Sequence, residues 1–265
     1  MTLSAVDREE LQQAMVILEN PSFAARLSHA VGSPLEKSLE LLPAPVSSSI
    51  NTVSRQAITK ALDVAIVTLN SRSPVLISSE RTHQVLSGLS GAVSGFFGAP
   101  ALAMELPVST VIMLRSIAAI AQQSGEDIQA LESRLACLEV FALGGRSAGD
   151  DGADTGYYAI RTTLAHSMAE AIQYIAGRGV IDETAPALVR LIAQIGSRFG
   201  VTVSQKLTAQ ALPVLGAFGG ASINLLFIHH FQRMAKSHFS IRGLERRYGR
   251  DTIEAEYQAL REALP

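Results

Sequence analysis

This chain of 265 residues contains no tryptophan, only one cysteine and only 5% aromatic residues. With Cys137 alone, an intramolecular disulfide is excluded, which fits a reducing compartment. Charge is also sparse: Asp, Glu, Lys and Arg make up 17% of the chain, against roughly 25% in typical globular proteins. The net charge is −2 and no basic tract stands out, so nucleic acid is not an expected partner. The opening MTLSAVDREELQQ has no basic segment leading into an apolar run, and no secretory signal is expected. Gly-x-Ser-x-Gly, HExxH and the P-loop spacing are all missing, so three common hydrolase and nucleotide-binding chemistries find no support. Strand-like alternation is scarce, with PVLIS at Pro74 to Ser78 the single short candidate.

What is present is aliphatic. Apolar residues make up 48% of the chain and the mean hydropathy is +0.24. With so few aromatics this content is mainly Ala, Leu, Val and Ile, which suits closely packed helices. The periodicity is helical almost throughout. Ser4 is a candidate N-cap, with Val6, Leu11, Met15 and Leu18 near one face before Asn20-Pro21. A short helix is expected over Pro34 to Leu42. From Val46 to Leu69, Ile50, Val53, Ala57, Ala61 and Val64 recur at spacings of three and four. Asp251 or Thr252 is the expected cap of a last amphipathic helix carrying Ile253, Tyr257 and Leu260. The expected architecture is all-α: a multi-helix bundle with two Gly/Pro-interrupted apolar helical hairpins packed at its centre. Residues 1–45 form an N-terminal helical segment, and residues 46–265 one compact helical domain.

The two apolar stretches stand apart. Gln84 to Met104 carries no charge, Glu105 interrupts, and Leu106 to Leu114 is again uncharged. Leu207 to Ile228 has neither charge nor histidine. Each is long enough to span a bilayer, but Gly98, Pro100, Pro107 and Pro213 break them. They read as buried core helices of a soluble domain or as membrane-inserted or membrane-docked segments. Gly88, Gly91, Gly95 and Gly98 share one helical face, and Gly216 and Gly220 repeat the spacing of four. Such faces let helix backbones approach closely. Each stretch is followed by a more polar helix and then by Gly-Glu-Asp at 125–127 or Gly-Arg-Asp at 249–251, the pattern of an internal repeat.

Between them lies GGRSAGDDGADTGYYAIR, Gly144 to Arg161. A helical run from Leu131 ends in the glycine pair, a plausible stop, and a second helical run starts with the tyrosines. A phosphate cradle is rejected, because Asp150, Asp151 and Asp154 would repel the anion and no lysine sits among them. Three carboxylates within five residues suit a divalent cation such as Mg, Mn or Ca, although the spacing is not that of an EF-hand. The alternative is a capped helix start, with Asp154 pairing to the Tyr158 hydroxyl or to Arg161 along one face, beside Tyr157.

Other candidates are isolated polar groups in apolar surroundings. Glu105 needs a partner, either Arg115 or an arginine of the aspartate motif, unless it is protonated. His229, His230 and His238 lie in FIHHFQRMAKSHF and are candidate interface groups, or metal ligands if the fold brings them to the aspartates. Asn224 is a candidate buried amide bonded across a helix interface. Cys137 sits among apolar neighbours, where a thiol is inert.

Taken together, GAPALAMELPVSTVIMLRSIAAIA, LEVFALGGRSAGDDGADTGYYAIR and SRFGVTVSQKLTAQALPVLGAFGGASINLLFIHHFQRMAKSHFSIRGLERRYG resemble the EcsC protein family, over roughly residues 55 to 260. Gly144, Gly145, Asp150, Asp151, Asp154, Gly156, Tyr157, Tyr158 and Arg161 match the family's central motif. The resemblance implies a bacterial protein of mostly helical fold, linked to transport or secretion through an ABC-transporter operon, with no activity to carry over. Two functional readings follow. In one, the chain is a non-enzymatic helical protein on the cytoplasmic side, soluble or attached to the inner membrane, whose partner is membrane, a lipid-like ligand or a transporter. In the other, it is a metal-dependent hydrolase built on Asp150, Asp151 and Asp154 with His229, His230 or His238.

Overall fold

The structure, a computed structural model, describes residues 3–19, 23–31, 44–67, 99–145, 156–178, 182, 184–211 and 216–263. These fold as nine helices, and no strand occurs among the described residues. The elements are α1 Ala5–Glu19, α2 Phe23–Val31, α3 Ala44–Val67, α4 Ala99–Gln123, α5 Leu131–Leu143, α6 Tyr157–Arg178, α7 Pro186–Ala211, α8 Gly216–Tyr248 and α9 Arg250–Glu262. The all-α bundle is therefore as expected. PVLIS, the Pro34 to Leu42 helix, Gly88, Gly91, Gly95, Gly98 and Pro213 lie outside the described residues.

Local chemistry explains most boundaries. Ser4 caps α1: its Oγ accepts from the Asp7 amide at 3.1 Å and donates to Asp7 Oδ2 at 2.6 Å. Leu11, Met15 and Leu18 line the buried face as expected, but Val6 does not; it is 75% exposed. Asp7 takes the buried register instead and accepts a hydrogen bond from the Tyr248 hydroxyl at 2.6 Å. Proline does not interrupt α4. Pro100 falls in its first turn, where no intrahelical N–H bond is lost. Pro107 sits inside the helix, which continues through it to Gln123. At the last helix the cap lies two or three residues earlier than expected: Gly249, at φ 87°, is the N-cap and α9 starts at Arg250. That left-handed backbone is available to glycine without strain, which turns the chain between α8 and α9.

α3 packs on α4 and α7, and α8 runs through the bundle against α1, α4, α2, α5 and α7. Ile50, Val53, Ala57 and Ala61 of α3 are buried, as their spacing predicts. Among the described residues, two glycines of α7 that the sequence reading did not single out also allow a close helix approach. A Cβ on Gly196 of α7 would stand 3.0 Å from Arg55 Cγ, and one on Gly200 would stand 3.1 Å from Asn51 Oδ1. Gly216 and Gly220 fall in the first turns of α8. Phenylalanines fill the centre in place of tryptophan. Phe141, Phe199, Phe227 and Phe231 pack with ring centroids 5.2 to 6.1 Å apart, and Phe23 reaches Phe227 at 5.7 Å. Such tilted and edge pairs add about 0.5–1.5 kcal/mol each beyond area burial. Arg134 closes the C-terminal end of α3, donating to the Ile66 carbonyl at 2.8 Å.

Candidate functional site

The glycine pair ends α5, but not through left-handed backbone. Gly144 has φ −81°, open to any residue. Glycine is required by proximity: a Cβ on Gly144 would lie 2.8 Å from His230 Nε2, and one on Gly145 would lie 2.6 Å from the Arg198 carbonyl oxygen. Asp150, Asp151 and Asp154 lie outside the described residues. The motif re-enters at Gly156, where a Cβ would meet Arg261 at 2.8 Å.

The first free amide of α6 finds an acceptor on a distant helix. Tyr157 N–H donates to Glu19 Oε1, from α1, at 3.1 Å, and the Tyr257 hydroxyl donates to the same oxygen at 2.7 Å. Tyr158 and Arg161 share a face, as read from the sequence, but their partner is Glu245 of α8. Arg161 holds Glu245 with two bonds of 2.6 and 3.0 Å, and Tyr158 donates to Oε1 at 2.8 Å. The carboxylate they share lies 87 residues from Tyr158, and the expected pairing with Asp154 falls outside the described residues. Burial lowers the basicity of the Arg161 guanidinium, and the bond and charge of Glu245, with the charge of Glu139, more than reverse it.

Tyr157 turns inward to His238, whose Nδ1 lies 3.0 Å from the hydroxyl. Burial pushes the Tyr157 hydroxyl up, so it keeps its proton and serves as donor. The other ring nitrogen of His238 faces Glu139 Oε2 at 3.8 Å, beyond hydrogen-bond range. Burial pushes Glu139 up and His238 well down. Both therefore favour their neutral forms, and this is not an ion pair. Nearby, Glu126 takes Arg242 at 2.9 Å, Ser133 at 2.9 Å and Arg246. Burial raises its carboxyl, yet these partners hold it below the ordinary value. The acids of this network, Glu19, Glu126, Glu139 and Glu245, come from four different helices or their connections, so nothing local in the sequence marks them.

The remaining candidates separate. His230 uses both ring nitrogens: Nε2 is 2.9 Å from the Gly144 carbonyl and Nδ1 is 2.8 Å from an Arg26 nitrogen. Arginine only donates, so Nδ1 accepts and Nε2–H donates to Gly144. Burial holds this imidazole at about 3, so it stays neutral and has no lone pair left for a metal. His229 is exposed and bonds Gln232 at 3.2 Å. Asn224 is buried, as expected, and its Oδ1 has no hydrogen-bond partner. Cys137 is fully buried and its thiol is pushed up by burial, consistent with an inert residue. Among the described residues no group of three or more His, Cys, Asp or Glu is placed to hold a metal ion.

Glu105 pairs with neither arginine expected of it. Its partner is Lys206 of α7, Nζ to Oε1 at 2.7 Å, with Lys206 also 4.8 Å from the Phe227 ring centroid. Arg115 faces solvent on α4 and the motif arginine Arg161 is held by Glu245, whereas Lys206 presents a long apolar stem and one charge to the interface. Glu105 is the first charge after one uncharged run, and Lys206 is the last charge before the other. No helix among the described residues is long and apolar enough to cross a membrane.

Neither a curated protein nor a solved structure matches this chain. A family model does: that of the EcsC protein family, over residues 7–244. The stretch includes the glycine pair, the tyrosine pair with Arg161, and both partners of the Glu105–Lys206 bridge, and the chain belongs to the EcsC protein family.

Proposed function

We propose that this protein is a non-enzymatic helical module that docks end-on to the cytoplasmic face of the inner membrane, or on a lipid-like ligand of the same chemistry. The observation that carries the reading is the Glu105–Lys206 bridge. It joins Glu105, early in α4, to Lys206, near the end of α7, so the described parts of both uncharged runs meet beside it. Val108 and Leu225, on the two helices that start at that end of the bundle, are 48% and 46% exposed. An apolar tip closed off by one buried ion pair suits contact with acyl chains better than exposure to water.

The groups that would serve an enzyme support the same reading. Tyr157, Tyr158, Arg161, His230 and His238 are buried and hold one another or acids and carbonyls of the protein. They work as fastenings between α1, α5, α6, α8 and α9. A position beside a transporter, which the family resemblance implies, is compatible with a docked module.

Fractionation of cells expressing the native chain tests the proposal. The protein should sediment with membranes, survive a low-salt wash and leave on high salt or carbonate. A protein wholly in the supernatant, free of lipid, would overturn it. A stoichiometric divalent metal whose removal abolishes function would favour the metal-dependent hydrolase instead.

A further inference from the structure

The most enclosed acid–base contact among the described residues is also the one left open. His238 of α8 is 0% exposed and Glu139 of α5 is 3% exposed. His238 Nε2 has no hydrogen-bond partner among the described residues, and the Glu139 Oε2 it faces stands 3.8 Å away. Three other buried contacts are closed: Arg161 reaches Glu245 at 2.6 Å, Lys206 reaches Glu105 at 2.7 Å and Arg242 reaches Glu126 at 2.9 Å. A charged donor and a charged acceptor draw together to about 2.7–2.9 Å. A gap of 3.8 Å at this depth therefore marks two groups without opposite charges.

The hydrogens follow from the neighbours. The Tyr157 hydroxyl lies 3.0 Å from His238 Nδ1 and has no other acceptor among the described residues. Nδ1 accepts its hydrogen, so the ring hydrogen of the neutral imidazole sits on Nε2, facing Glu139. A carboxylate buried there without a partner would carry the cost of an unpaired charge, and keeping its proton avoids that cost.

The surrounding charges decide what the gap can take. Arg161 of α6 and Arg242 of α8 act on both groups, Arg250 beyond α8 acts on Glu139, and Glu245 opposes them. Past the end of α4 stands Glu126, held by Arg242. Glu19 of α1 and Tyr257 of α9 lie on the outer side of Tyr157. α7 meets α5 through Phe199 on Phe141, and α3 meets it through the Ile66 carbonyl on Arg134. A divalent cation does not suit a site faced by two guanidinium groups, and no third ligand stands there among the described residues. The loss of one proton does suit it, because the same guanidinium groups would receive the carboxylate left behind.

We infer that Glu139 and His238 form a buried proton switch. With the proton on Glu139 the side chains stand apart, as they do here. When that proton passes to solvent, the carboxylate closes on Nε2–H. A chain of hydrogen bonds then runs from the Tyr157 hydroxyl through the imidazole to Glu139, and ties α5 and α8 to the first residue of α6. Burial holds the Glu139 carboxyl above its ordinary 4.5, so the open form belongs to the acid side and the closed form to the alkaline side. The switch is independent of membrane docking.

An NMR titration of the full chain, with carbon-13 in glutamate carboxyls and nitrogen-15 in histidine rings, tests it. The Glu139 carboxyl should titrate at least one pH unit above 4.5, which is a proton held about tenfold tighter or more. At the same midpoint the His238 Nε2–H proton should move downfield as its hydrogen bond forms, while Nδ1 stays unprotonated. In Glu139→Gln, which keeps the shape and cannot ionise, the His238 step should vanish while exposed His229 titrates unchanged. The titration of the unaltered protein carries the test without that variant. A Glu139 carboxyl ionised at its ordinary 4.5, a doubly protonated His238 beside it, a Glu139 step that leaves Nε2–H unmoved, or no Glu139 step before the chain unfolds in alkali would each overturn the switch. Docking stands or fails separately, on the fractionation above.

Discussion

Glu245→Ala is expected to be among the most damaging single substitutions in this protein. It removes the only described acid bonded to Arg161, whose side chain is 8% exposed, and it strands the Tyr158 hydroxyl as well. Breaking a buried ion pair from one side costs about 3–5 kcal/mol, because the remaining charge has neither water nor partner. The lost Tyr158 bond adds about 1 kcal/mol. In a chain of this size 1 kcal/mol shifts Tm by roughly 2–4 °C, so a fall of roughly 8–24 °C is expected. Removing both charges should be far milder. Arg161→Met with Glu245→Leu fills similar volume without an orphan charge and should recover most of the loss. Urea denaturation of the unaltered protein, Arg161→Met, Glu245→Leu and the double variant gives the coupling directly. A loss under about 1 kcal/mol for Glu245→Ala, or a double variant as unstable as the single one, would refute the view that the YYxxR motif is a fastening set by α8.

Lys206→Met should destabilise by about 3 kcal/mol or more, because it leaves Glu105 facing an apolar interface, and Glu105→Gln added to it should restore part of that; thermal unfolding monitored by circular dichroism reads both. Gly145→Ala should cost about 1–3 kcal/mol, since its Cβ would press on backbone at 2.6 Å, whereas Gly177→Ala, with nothing within 4 Å, should stabilise α6 by about 0.5–1 kcal/mol. His230 carries a pH signature. Its folded value of about 3 lies below the ordinary 6.5, so the unfolded chain binds the extra proton and stability falls as pH drops from 6.5 toward 3. The slope is up to about 1.4 kcal/mol per pH unit, and His230→Asn should flatten it by that amount in denaturant titrations. Glu139 acts with the opposite sign, because its raised carboxyl binds protons more tightly in the folded state as pH rises through its ordinary 4.5. Glu139→Gln should therefore steepen the loss on acidification.

Much of the architecture was legible because helical periodicity is local. The boundaries of α1, α3, α5 and α6 follow from a serine cap, apolar spacing, a glycine pair and a tyrosine pair, each visible within a few residues. Two local expectations failed for a common reason. Pro107 and Val6 obey local rules that packing overrode: α4 continues past its proline, and Asp7, bonded to Ser4 and Tyr248, displaces Val6 from the buried face. The motif at Gly144–Arg161 was recognisable as a unit, but its chemistry was not. The partners Glu19, Glu139 and Glu245 and the relay to Arg26 come from distant parts of the chain, and no spacing rule connects them. Lys206 could have been found by one signal, being the charge that closes the second uncharged run as Glu105 opens from the first.

The absence of tryptophan offers the most direct test of the account. Single tryptophans placed at Val108, Leu225 and Val6 would each be the only indole in the chain, and all three sites are exposed. With anionic vesicles, the Val108→Trp and Leu225→Trp emission should shift to the blue and be quenched by lipids brominated on the acyl chain. The Val6→Trp emission, beside Asp7 and the far end of α8, should stay that of an indole in water. Water-like emission from both tip reporters while the protein floats with the vesicles, or a blue shift at position 6 instead, would contradict docking through the uncharged end.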